Sequence, residues 1–113
     1  MIKKTIIVLL ILSVSAVTLF SASSFDEQIA VSVSYINNNE HDKALDSLNK
    51  AISIDPAKAL SYKLIAMIYE AKRDNKRAIE YWNKYLRHSN SSTDGTFILE
   101  AQKHLERLEE EIQ

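Results

Sequence analysis

The sequence contains no cysteine, and only one glycine and one proline among its 113 residues. Without cysteine, the chain can form no disulfide framework, thiolate nucleophile or cysteine metal site. Scarce glycine and proline argue against a β-sandwich or barrel, whose tight turns use both, and favour a helical protein. The formal net charge of −1 gives no general attraction to nucleic acid, so we expect no such partner. The length allows one domain at most.

Residues that could carry catalysis do not fall into a catalytic pattern. A single glycine cannot build a phosphate-binding loop, and no serine lies in a Gly-x-Ser-x-Gly elbow. His104 follows Glu100 by four residues, a helical spacing that can seat two metal ligands but also occurs on any charged helix. We interpret this pair as solvated, and Trp82 and the tyrosines as core packing. The sequence therefore predicts no enzymatic activity, no cofactor and no metal site.

Residues 1–23 differ in character from the rest of the chain. Lys3 and Lys4 form a short basic start, Ile6 to Phe20 is largely apolar, and small residues follow it. This order is typical of a secretory signal peptide, here with cleavage after Ser23. Since the two lysines stay in the cytoplasm, residues 24–113 would be extracytoplasmic, in a periplasm or outside the cell.

An uncleaved membrane anchor is the alternative interpretation of the same segment. The apolar run is slightly short for a span of about 20 residues, but Thr5 to Ala22 could form one. The protein would then associate with the inner membrane through residues 1–22. Its orientation, and therefore the location of the remaining chain, would be unchanged.

The segment from Ala59 to Leu86 shows two helical patterns separated by a polar break at residues 72–75. In each half, apolar residues recur at steps of three and four, as on one face of an amphipathic helix. They are Leu60, Leu64, Ile65, Ile68 and Tyr69, then Ala78, Ile79, Trp82, Tyr85 and Leu86. A break this short makes the two helices antiparallel neighbours. Asp74 is placed to cap the second helix, and Ala78 lies where the helices should cross.

The preceding segment repeats this pattern with an offset of 34 residues. Four pairs share the offset: Val31 with Ile65, Tyr35 with Tyr69, Ala44 with Ala78, and Leu48 with Trp82. An aromatic, then a small, then a bulky residue at one fixed offset is an internal repeat, and the offset equals the tetratricopeptide period.

From Phe25 to Asn90 the chain therefore resembles the tetratricopeptide-repeat family. The residues that carry the resemblance are Val31, Tyr35, Ala44, Leu48, Ala51 and Pro56, then Tyr62, Ile65, Ala66, Tyr69, Ala78, Trp82 and Leu86. Asn39 and Arg73 stand where the family usually has glycine. The resemblance implies an all-α fold, an α-solenoid of two helical hairpins at about 25–58 and 59–92.

Three further segments complete the predicted architecture. Ile29 to Tyr35 alternates like a strand, but the repeat register requires a helix there. Asp55-Pro56 should form a turn that restarts a helix. His88 to Gly95 should be a flexible polar loop before a C-terminal capping helix at about 96–112. The whole would form one repeat domain over residues 24–113, preceded by the N-terminal hydrophobic signal or anchor helix.

The resemblance implies that the first helix of each repeat lines a concave groove that binds another protein. Periodicity places nine candidates on that surface: Ile29, Val33, Ile36, Lys63, Met67, Glu70, Phe97, Ala101 and His104. The first three form an apolar group. Either a hydrophobic peptide or helix docks there, or the protein covers the group itself, by dimerisation or with Ser23 to Asp26.

The predicted function is a non-enzymatic scaffold or adaptor, exported from the cytoplasm, that binds a protein or peptide. The alternative is a single-pass membrane-anchored accessory subunit of an envelope complex, with the repeats as a docking cap. A homo-oligomer is compatible with both. Ile29, Val33 and Leu64 occupy positions at which some relatives carry a lysine and asparagine clamp for a C-terminal carboxylate. That mode of binding is therefore not expected.

Overall fold

The structure is a computed structural model that describes residues 23–113, so the predicted signal or anchor segment lies outside the described residues except for Ser23. Within this range the chain forms helices and no strand. The helices are α1 (Phe25–Asn37), α2 (His41–Ile54), α3 (Ala59–Ala71), α4 (Asn75–His88) and α5 (Ser91–Ile112). The all-helical prediction is thus confirmed, including the helix over Ile29 to Tyr35. In the described range, no helix is both long enough and apolar enough to cross a membrane.

Each helix packs mainly on its neighbours in sequence. α1 pairs with α2 and α3 pairs with α4, and these two hairpins are joined by contacts between α2 and α3. α5 packs on α4 and covers the open side of the second hairpin. This order is the stacking of a helical repeat protein, in which each unit contacts only the next one.

The turns inside the two hairpins are copies of one another. Asn39 and Arg73 both have φ of 58°, the left-handed conformation that lets a chain leave a helix. At the same offset, Glu40 N donates to Tyr35 O at 2.8 Å and Asp74 N donates to Tyr69 O at 2.9 Å. Both positions adopt a backbone conformation that glycine accommodates at the lowest cost, although neither residue is glycine.

Two buried clusters form the core, one for each interface of the stack. Ala44, Leu48, Ile65 and Ile68 fill the space between the hairpins. The second cluster lies between the second hairpin and α5 and contains Tyr62, Ala66, Ala78, Trp82, Tyr85, Ala101, Leu105 and Leu108. Ala44 and Ala78 have no exposed surface, and their methyl groups allow the close helix crossing that the sequence predicted.

The first helix shows that position in the stack decides burial. Val31 is 41% exposed, whereas Ile65, its equivalent in the second repeat, is 1% exposed. The difference arises because α3 packs on α2, while no described helix covers the corresponding face of α1. Ser34 stands at the position equivalent to Ile68 on that face.

The prediction of a flexible loop from His88 to Gly95 was wrong. α5 begins at Ser91, not at Thr96, and Asn90 caps it by accepting from Ser92 N at 3.0 Å. In return, Asp94 accepts from Asn90 N at 2.9 Å. This reciprocal capping starts the helix early and carries it through the only glycine in the chain.

The turn between the hairpins also differs from its prediction. Asp55 ends α2 and does not start α3, because its carboxylate accepts from Ala57 N at 3.1 Å within the turn. α3 begins at Ala59, with no side-chain cap. The Tyr62 hydroxyl donates to Pro56 O at 2.7 Å and holds the turn against α3.

Candidate partner-binding groove

A groove separates α3 from α5 on one side of the second hairpin. Its volume is about 730 Å³. Its lining consists of Leu60, Lys63, Leu64, Met67, Glu70, Ala71, Trp82, Glu100 and His104. The α3 residues recur at steps of three and four, so they form one face of that helix. The structure thus brings four of the predicted site residues together: Lys63, Met67, Glu70 and His104.

A smaller cavity of about 260 Å³ continues the groove toward the start of α5. It shares Leu60 and Lys63 with the main groove and adds Phe97, another predicted residue. The Lys63 ammonium lies 4.0 Å from the centre of the Phe97 ring, in cation–π geometry. The side chains of Leu60 and Met67 are each 45% exposed and that of Phe97 is 48% exposed. The two cavities therefore form one continuous surface with exposed apolar side chains.

Glu70 holds the floor of the groove together. Its Oε1 accepts from Trp82 Nε1 at 2.7 Å and from His104 Nδ1 at 2.8 Å. Its Oε2 accepts from the Arg107 guanidinium at 3.1 Å. A carboxylate that accepts three bonds from two other helices is committed to the protein itself. Glu70 therefore supports the groove and has little capacity left for a partner.

His104 connects α5 to the same floor through its ring. The imidazole stacks on the Trp82 indole, with ring centres 4.8 Å apart and an angle of 23° between planes. Because an ionised carboxylate can only accept, Nδ1 carries the proton in the bond to Glu70. In the neutral ring, Nε2 is then an acceptor that is not used by this network. The predicted site residue His104 thus lines the groove and also anchors α5.

A polar cavity of about 530 Å³ adjoins the groove at the turn between α3 and α4. Its charged and amide residues are Glu70, Arg73, Asn75, Arg107 and Glu111. Arg107 donates to Glu111 at 2.8 Å, and this bond raises the pKa of Arg107 and lowers the pKa of Glu111. Asn75 also donates to Glu111, at 2.9 Å, which lowers that pKa further. Most charge in this cavity is therefore paired internally.

The apolar group of the first repeat lies outside the lining of these three cavities. Ile29 and Ile36 are half-buried and pack against the cluster between the hairpins. Leu64 of α3 packs against the same cluster. Val33 remains exposed on α1. Their binding role is still a prediction, but much of the apolar surface of Ile29 and Ile36 is already used for packing.

Ala101 requires a correction. The sequence placed it on the groove surface, but it is fully buried in the core between the second hairpin and α5. A partner therefore cannot touch its side chain. Leu60 and Glu100 also line the groove, although neither is among the site residues predicted from the sequence. The helical steps from Leu60 to Lys63 and Leu64, and from Glu100 to His104, were the signals that could have identified them.

Glu100 and His104, the pair whose spacing could seat a metal ion, are not joined by further ligands in the described part of the chain. In the range 23–113, no three or more histidine or acidic side chains gather as a metal site would require. His104 directs Nδ1 to Glu70, and Glu70 is already shared with Trp82 and Arg107.

Comparison with known proteins agrees with this architecture. Residues 29–58 match the tetratricopeptide-repeat family. The chain is similar to the solution structure of protein BPP2914 from Bordetella parapertussis, with a TM-score of 0.70 and 23% sequence identity. The match covers 86% of this chain and 84% of the other, and at this identity it shows a common fold alone. A comparison with curated protein sequences found no match. Tetratricopeptide repeats generally mediate protein–protein interactions.

Proposed function

We propose that this chain is a non-enzymatic scaffold or adaptor that binds another protein in the groove between α3 and α5. One observation carries the proposal. Leu60, Met67 and Phe97 stay about half exposed along a continuous surface whose floor is held in place by Glu70. Exposed apolar side chains that line a concave surface on a rigid support are typical of a docking site.

We also propose an extracytoplasmic location, in a bacterial envelope. This part rests on the order of residues at the start of the chain, where Lys3 and Lys4 precede the apolar run from Ile6 to Phe20. Such an order directs export, with or without cleavage. The mature chain after Ser23 would retain the groove.

A cross-linked pull-down tests both parts. The full chain, tagged after Gln113, would be expressed in its own host, cross-linked and recovered with its partners, and mass spectrometry would read the N-terminus. We expect a chain that starts near Ser24 and a cross-linked protein that is lost with Met67→Glu. Leu99→Glu is the matched control, because Leu99 is also exposed but lies outside the described groove lining.

Two other outcomes would contradict the proposal in different ways. A chain that starts at Met1 and recovers membrane subunits whatever residue stands at position 67 would support the membrane-anchored subunit instead. A partner lost with Val33→Glu but retained with Met67→Glu would move the site to α1, where Val33 is exposed.

A further inference from the structure

The groove between α3 and α5 offers few free polar groups to a ligand. Trp82 and Glu70 bond to each other, and His104 commits Nδ1 to the same carboxylate, which leaves its Nε2 as a single acceptor. Lys63 and Glu100 are the remaining charged side chains of the main groove, and the smaller cavity adds Asp94, which accepts from Asn90 N. Beyond the first turn of each helix, the backbone groups of α3 and α5 are paired inside the helix, so those along the main groove are not available either.

This shortage of polar groups discriminates between two kinds of ligand. An extended peptide presents unpaired N–H and C=O groups along its whole length, and burying them without partners is costly. A helix pairs its own backbone groups and presents only side chains. An apolar stripe on a helix can therefore fill a groove lined by Leu60, Leu64 and Met67 without leaving backbone groups unsatisfied.

Lys63 indicates the charge of that ligand. Its ammonium lies over Phe97 at the junction of the two cavities, and within the described residues no carboxylate is in ion-pair distance of it. A carboxylate beside the apolar stripe would complete this site, because a cation held against an aromatic ring is a directed partner for an acid. Arg107, by contrast, already bonds to Glu70 and Glu111.

We infer that the ligand of the groove is an amphipathic α-helix of a partner protein, with an apolar stripe that packs on Leu60, Met67 and Phe97 and an acidic residue that meets Lys63. This inference rests on the proposed function, because it assigns the class of partner to the same groove. It differs from groove binding in general by excluding an extended peptide as the ligand.

The experiment screens two displayed peptide libraries for binding to the full-length protein. One library contains 16-residue helices with apolar residues at i, i+3, i+4 and i+7 and random polar residues elsewhere. The other has the same apolar residues at the same positions, but proline and glycine replace some of the polar residues in every turn so that the peptides stay extended. Selected peptides are then synthesised, and their affinity is measured by fluorescence anisotropy. Circular dichroism reports whether they become helical when bound.

We expect selection from the helical library alone, with Asp or Glu enriched next to the stripe. Met67→Glu should weaken the selected peptides roughly tenfold or more, because it places a charge against an apolar stripe. Lys63→Glu should change the enrichment from acidic to basic residues, and Lys63→Gln should weaken the acidic peptides by roughly threefold. Leu99→Glu, with the same added charge outside the groove lining, should change none of these results.

The other possible outcomes distinguish an error in the class of ligand from an error in the proposed binding site. Selection from the extended library, with binding lost on Met67→Glu, would overturn the helical ligand and leave the groove as the binding site. Helical peptides that bind equally well to Lys63→Glu would overturn the acidic residue. If neither library yields a peptide sensitive to Met67→Glu, both the inference and the groove as a docking site are wrong.

Discussion

The indole Nε1 of Trp82 donates to the Glu70 carboxylate at 2.7 Å, and this bond joins α4 to α3 directly beneath the groove. The same carboxylate oxygen lies 2.8 Å from His104 Nδ1 on α5. One acid therefore links three helices. It ties the last helix to the second hairpin at the place where the two form the groove.

Replacing this acid should destabilise the fold. Glu70→Ala leaves the Trp82 N–H without its acceptor in a buried site, and a lost bond to a charged group costs about 2 kcal/mol. Urea unfolding followed by tryptophan fluorescence measures the loss. Glu106→Ala is the control, since Glu106 is an exposed acid on α5, and it should change stability by less than about 0.5 kcal/mol. Equal effects of the two substitutions would contradict the role of Glu70.

The left-handed turn residue of the second hairpin is a site for stabilisation. Arg73 has φ of 58°, which costs a residue with a side chain roughly 1–2 kcal/mol. Arg73→Gly removes that cost but adds entropy to the unfolded chain, so we expect a net gain of about 0.5 kcal/mol in thermal or urea unfolding. Asn39→Gly, at the same φ, should gain less because asparagine tolerates this conformation. A loss of stability in Arg73→Gly would be inconsistent with the turn described here.

Substitution of Gly95, the single glycine, tests where α5 begins. A Cβ built on Gly95 meets nothing within 4 Å, and the residue lies inside α5. Gly95→Ala should therefore raise stability by about 0.5–1 kcal/mol and increase the helical signal in circular dichroism. Gln102→Gly, at an exposed position of the same helix, should show the opposite sign and a similar size. If Gly95→Ala had no effect, residues before Thr96 would be a loop, as the sequence pattern alone suggested.

The pair between Arg107 and Glu111 should give a local pH dependence. The hydrogen bond from Arg107, and then that from Asn75, hold the pKa of the Glu111 carboxyl below its ordinary value. Such a group contributes stability above its unfolded pKa of about 4.3, and the contribution is lost as the pH falls through the lower folded pKa. A carboxyl NMR titration should show the lowered pKa. Arg107→Gln should bring it back toward the ordinary value, and Asn75→Ala should have a smaller effect in the same direction.

One outcome of this titration would contradict the predicted role of Arg107. If the pKa of Glu111 stayed unchanged in Arg107→Gln, the ion pair between these two side chains would not form in solution.

The 34-residue offset between the hairpins could be predicted from the sequence because packing of the core requires the same residue types at equivalent positions. Tyr35 and Tyr69, and Ala44 and Ala78, recur at one offset since each hairpin crosses at a small residue and fills the surrounding space with a large one. The same offset predicted a helix where Ile29 to Tyr35 alternates like a strand, and the prediction is confirmed. Asp74 was identified as a cap for the same kind of local reason, and it accepts from Arg77 N at 3.2 Å.

The candidate site was only partly predictable. Lys63 and Met67 follow from helical periodicity, because a groove face of a single helix is a local property. Ala101 was misplaced because the direction in which α5 faces depends on how it packs against α4 and Tyr85. Periodicity gives the width of an apolar stripe but does not say which edge of the stripe remains exposed.

The amino-acid sequence by itself determined the first four helices and the 34-residue repeat, since these depend on residues close together in the chain or on a spacing that recurs. Only the tertiary structure decided that Val31 is exposed where its equivalent Ile65 is buried, and that Glu70 bonds to Trp82, His104 and Arg107. Burial and long-range bonds depend on which helix packs against which face, and in a stack of repeats that differs between the middle and the ends.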